Sequence, residues 1–142
     1  MNLNDLVSLP LIAAAAGIVV VIIIAGWLTR RRPGKLDVAH FTTRWQELQK
    51  LLANKSTWPL AVINADKLLD EALKKRKYKG KTMGERLVSA QHELSSNDTV
   101  WFGHKLRNKL VHEDYDLTRK SEVKEALLGF MQALKDLGAL KR

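Results

Sequence analysis

The stretch TVWFGHKLRNKLVHEDYD, residues 99–116, places an asparagine directly after an arginine, a histidine five positions beyond that arginine, and acids immediately afterwards. Projected as a helix at about 100° per residue, Phe102, Leu106 and Leu110 gather on one side. Val100, Trp101, His104, Arg107, Asn108, Val111 and His112 gather on the other. A helix with a single apolar stripe normally turns a polar back to water. Here the second face mixes a tryptophan and two valines with two imidazoles, a guanidinium and an amide, which is the makeup of a contact surface. Two readings follow. Either this is a central helix packed on both sides, or Val100, Trp101, His104 and Val111 form a seam to a second copy or the edge of a ligand groove.

Four further helical patterns surround it. Val38, Phe41, Trp45, Leu48 and Leu52 step by three and four along one stripe. Ser56 or Thr57 can cap a second helix with Pro59 in its first turn, its inner stripe being Val62, Ala65, Leu69, Ala72 and Leu73. Thr82 followed by Glu85 is a capping-box pair opening a third, with Met83, Leu87, Ala90 and Leu94 inward. The helix over 99–112 is the fourth. A fifth begins at Thr118 or Ser121, carries Val123, Leu127, Phe130, Leu134 and Leu137, and ends at Gly138. Sustained period-two alternation is absent. The expected fold is all-α: an antiparallel bundle of about five helices over residues 36–142 with short connections.

The N-terminal part differs in kind. From Leu6 to Thr29 no side chain is charged, and all 24 lysines and arginines of the 142-residue chain lie at Arg30 or beyond. As a helix this segment would extend roughly 36 Å, against a hydrocarbon core of about 30 Å. It is expected to be a transmembrane helix over 6–29 with the lipid bilayer as partner. The basic linker 30–35 (Arg30, Arg31, Arg32, Lys35) would hold the following domain in the cytoplasm, at the inner membrane, with the N-terminus outside. A cleavable leader would need its positive charge ahead of the apolar run.

Arg107-Asn108-Lys109-Leu110-Val111-His112 resembles the Arg-polar-xxx-His signature of the HEPN (higher eukaryotes and prokaryotes nucleotide-binding) domains. The resemblance covers helix order and motif position over residues 36–140. It implies a helical bundle that often dimerises around a shared cleft, and in active members a metal-independent endoribonuclease. On that resemblance His112 is base or acid, Arg107 clamps phosphate and Asn108 positions. The residue types suit such chemistry, imidazole for proton transfer near neutral pH and guanidinium for phosphate charge. Arg107 and His112 nevertheless stand about 140° apart on one helix, so a partner chain would be needed to align them. The structural alternative is a C-terminal histidine cap, with Arg107 paired to one of the acids that follow.

Lys74, Lys75, Arg76, Lys77, Tyr78, Lys79 and Lys81 form a basic loop suited to phosphate backbone or anionic lipid, with Tyr78 available for base stacking. Gly80-Lys81-Thr82 is not a phosphate-binding loop, since Lys75 stands where such a loop needs glycine. With no cysteine, thiolate sites and disulfides are excluded. His40, His92, His104 and His112 form no metal set, and no cofactor motif is present. The expectation is a membrane-tethered, dimerising binding or regulatory module, with a cytosolic protein or RNA as candidate partner. The alternative is a tethered ribonuclease using Arg107 and His112.

Overall fold

The computed structural model describes residues 3–28 and 33–142, which divide into two compact units at Arg32 and Pro33. All regular structure among the described residues is helical: α1 (Leu3–Leu28), α2 (Val38–Lys50), α3 (Trp58–Lys75), α4 (Met83–Ala90), α5 (Asn97–His112) and α6 (Lys120–Asp136). Two short 3-10 turns, Leu51–Ala53 and Lys55–Thr57, join α2 to α3.

In the first unit, α1 has described side chains at Ile12 and from Ala14 to Gly26. The isoleucines and valines from Ile18 to Ile24 are exposed. The membrane expectation is corrected here: among the described residues, no helix is long and apolar enough to cross a membrane. The span over 6–29 and the inner-membrane placement with an outside N-terminus are therefore not supported. Arg30, Arg31 and Arg32 of the expected linker, and the side chain of Trp27, lie outside what is described.

The second unit is the expected five-helix bundle, α2 to α6. Its hub is α3, which packs against α2, α4, α5 and α6. The reason lies in its sequence: Ala61, Val62, Ala65, Leu68, Leu69, Ala72 and Leu73 are all buried, and the alanines let neighbours approach from several directions. The stripes predicted for α2 and α6 hold, with Phe41, Trp45 and Leu48 buried on the first. Val123, Leu127, Phe130, Leu134 and Leu137 are buried on the second.

Helix ends follow local chemistry. Asp37 Oδ1 accepts from the amides of Ala39 and His40 to start α2. Thr82 Oγ1 accepts from Glu85 N at α4, while Glu85 Oε2 accepts from Lys81 N, one residue earlier than in a standard capping box. The helix was expected to run on to Leu94 but stops at Ala90. Asn97 Nδ2 donates to the carbonyls of Gln91 and Leu94, and the tight turn still buries Leu94.

Both α3 and α6 end in paired reverse hydrogen bonds. Tyr78 N donates to Leu73 O and Lys77 N to Lys74 O; Ala139 N donates to Leu134 O and Gly138 N to Lys135 O. The left-handed position is Gly138 (φ 77°) at α6, as expected, but Lys77 (φ 59°) at α3. Tyr78 thereby turns inward and is buried, so it is not available to stack on a base.

Packing accounts for the mixed face of α5. This helix lies against α6 on one side and α3 on another. Toward α6 the contact is close: a Cβ on Gly129 would come within 2.6 Å of the Thr99 backbone. The buried residues of α5 are Val100, Gly103, His104 and Leu106, whereas Phe102 and Leu110 are only partly buried. The inward face is thus rotated from the one projected, and Val100, assigned to an outer seam, is inside its own subunit.

Gly129→Ala is expected to destabilise the bundle by about 1–3 kcal/mol, because backbone rather than a flexible side chain meets the added methyl. Lys77→Gly should do the opposite, raising stability by about 0.5 kcal/mol as left-handed strain outweighs the added freedom of the unfolded chain. Urea unfolding of the two variants beside the parent chain checks both signs.

Candidate functional site

Along α3, Asp66 occupies the position four after Val62 and three before Leu69, squarely on an inner stripe. Its carboxylate is 4% exposed and must therefore be compensated from within the protein. The compensation comes from α5. His104 Nδ1 lies 2.8 Å from Asp66 Oδ1, and Arg107 Nε lies 3.4 Å from Oδ2, at ion-pair distance without hydrogen-bond alignment. Arg107 Nη1 donates to Asn108 Oδ1 at 3.0 Å, which turns the Asn108 amide nitrogen toward His104 Nε2, 3.4 Å away. With Nδ1 donating to the carboxylate, Nε2 is the acceptor. Asp66, His104, Asn108 and Arg107 close a ring of polar contacts between two helices.

A second pair stands one turn further along α3. Arg86 of α4, itself buried, donates from Nε to Asp70 Oδ1 at 2.7 Å and from Nη1 to Gly80 O at 2.7 Å. Lys74 Nζ reaches Asp70 Oδ2 at 2.7 Å. Burial alone would raise the pKa of Asp70, but hydrogen bonds and charge from Arg86 and Lys74 outweigh it and hold the carboxyl below its ordinary value. Between the two pairs opens a cavity of about 410 Å³ lined by Asp66, Lys67, Asp70, Thr82, Met83, Gly84, His104, Arg107 and Asn108.

Of the residues expected to act together, Arg107 and Asn108 are neighbours in this pocket. His112 is not part of it; it is the exposed last residue of α5 and does not line the cavity. Asn108 approaches His104 rather than His112. The partner of Arg107 is Asp66 of α3, not one of the acids following the helix, and Glu113, Asp114 and Asp116 are exposed. Trp101 is half-buried, edge-on to His104 with ring centroids 5.8 Å apart. His104 is buried and Val111 is 45% exposed, so of the proposed seam Val111 remains at the surface.

The basic loop is partly neutralised. Besides Lys74, Lys75 pairs with Glu71 at 3.3 Å and Arg76 with Glu93 at 3.6 Å, while Lys77, Lys79 and Lys81 are exposed. Sequence reading missed Asp66, Asp70 and Arg86. The signal for the first was available: a carboxylate at a stripe position amid Val62, Leu69 and Leu73. Among the described residues, no group of three or more His, Asp or Glu side chains stands close enough to hold a metal ion. No family model, curated protein or solved structure matches the chain.

Because the folded pKa of Asp70 is lowered, its contribution to stability is present above the ordinary 3.8 and is lost as pH falls through the folded value. Thermal unfolding followed at decreasing pH should show a steepening loss of Tm below pH 3.8. In Asp70→Asn that acid-dependent loss should be smaller, and an identical pH profile for the two proteins would exclude the assignment.

Proposed function

We propose that this chain is a HEPN-like helical binding or regulatory module, acting as a homodimer, with RNA as its partner and the pocket between α3, α4 and α5 as its contact site. The reading is carried by one observation: Arg107 and Asn108, the first half of the signature, line an open polar pocket, whereas His112 stands apart at the helix end. A group that clamps a phosphate needs only Arg107 and its neighbours. A group that cleaves by the mechanism the resemblance implies needs an imidazole within hydrogen-bond reach of the ribose hydroxyl. Binding therefore fits the arrangement within one subunit better than cleavage. The exposed Val111, on the same helix, is where a second copy would attach.

Labelled RNA incubated with the purified full chain in EDTA is expected to stay intact and to be retained, with retention lost in Arg107→Ala. Cleavage that disappears in both His112→Ala and Arg107→Ala would make the chain a ribonuclease instead. Neither retention nor cleavage at micromolar protein would remove RNA as the partner. In sedimentation the chain should run as a dimer and Val111→Glu as a monomer; an unchanged mass counts against the α5 contact.

A further inference from the structure

Charge around the pocket is lopsided. Its two carboxylates, Asp66 and Asp70, face four cationic groups: Arg107 and Lys67 on the lining, and Arg86 and Lys74 attached to Asp70. Neither carboxylate is free to take a ligand cation. Asp66 is held by His104 and Arg107, Asp70 by Arg86 and Lys74. The donors that remain point to an anion. Arg107 uses Nε and Nη1 within the ring, leaving further guanidinium hydrogens among its five. Asn108 Nδ2 makes one long contact of 3.4 Å and has a second hydrogen. Lys67 is exposed at the rim. At about 410 Å³ the cavity falls in the size range of small-molecule sites, larger than a bare phosphate needs.

We infer that a single subunit holds a site for a phosphate ester, its donors being Arg107, Asn108 and Lys67, positioned by the buried Asp66–His104 pair. This deepens, and rests on, the reading of the pocket as the contact site of the module. His104 is a positioning residue: it sets the amide of Asn108 by the long Nε2 contact and ties α5 to Asp66 by the short Nδ1 contact. Arg107, held at one edge by Asp66 and at another by Asn108, arrives at the pocket already oriented. Binding then requires little side-chain ordering. A site of this kind works without His112 and without a second copy.

The test uses the purified full chain and follows the indole signals of Trp101, whose ring lies edge-on to His104, by NMR during titration with inorganic phosphate, a nucleoside monophosphate and a short RNA. A saturable shift is expected with all three. Lys67→Ala, which removes an exposed ammonium, should weaken binding about threefold. Arg107→Lys, which keeps the charge but loses the planar fork, should weaken it about tenfold. His104→Gln, whose amide can still bridge Asp66, should retain more affinity than His104→Leu when each is compared at the folded fraction that urea unfolding gives it, whereas a purely structural role would leave the folded molecules of both with equal affinity. Tighter binding of the monophosphate than of RNA identifies a free nucleotide as ligand, and the reverse order identifies a backbone phosphate. No saturable shift in the folded chain, or equal affinity in the parent and Arg107→Lys, overturns the site. If RNA is retained and Arg107→Lys has no effect, this inference falls while the binding module stands. If phosphate esters bind as described and RNA is not retained, RNA falls as the partner while the site stands.

Discussion

A buried carboxylate organises the functional side of this bundle. Asp66 sits on an inner stripe of α3, where an uncompensated charge would cost several kcal/mol. It therefore needs α5 in one register, with His104 at one oxygen and Arg107 at the other. Shifting α5 by one residue would remove both. The same constraint fixes the amide of Asn108 and closes the polar ring. Hydrophobic packing between α3 and α5 supplies most of the attraction, and the Asp66 contacts select the register within it.

The opposite side of α5 is governed by shape. Gly129 of α6 lies against the backbone at Thr99, and the ring of Phe130 lies where a side chain at position 103 would have to go. This close crossing draws Val100 and Gly103 inward and turns His104 and Arg107 toward α3 rather than to the outside. One helix thus has two contact faces inside a single subunit, apolar toward α6 and polar toward α3. What the mixed face meets is first its own chain, and then, through the cavity beside Lys67, whatever enters it.

The pocket also depends on α4, a helix of two turns that contributes Met83 and Gly84 to its lining. The capping hydrogen bond from Glu85 N to Thr82 Oγ1 starts this short helix, and Arg86 pins it to α3 through Asp70 and to its own approach loop through Gly80 O. A short helix has little intrinsic stability. The Arg86–Asp70 pair and the buried Leu87 give α4 its place, and with it one wall of the cavity.

Local patterns alone were enough to identify the helices. The stripes of α2 and α6, the Thr82–Glu85 cap and the Gly138 terminator depend on residues within a turn or two of one another, and such spacing is written directly in the chain. The Arg107-Asn108 pair could be singled out for the same reason. Its partner could not, because Asp66 lies 41 positions earlier and meets it only when α3 and α5 pack together. The burial of Val100 and Tyr78 was equally hidden, being set by the approach of α6 at Gly129 and by the left-handed turn at Lys77. Which histidine joins the arginine was likewise a tertiary decision: five residues around one helix point Arg107 and His112 in different directions, and a carboxylate on a neighbouring helix chose His104.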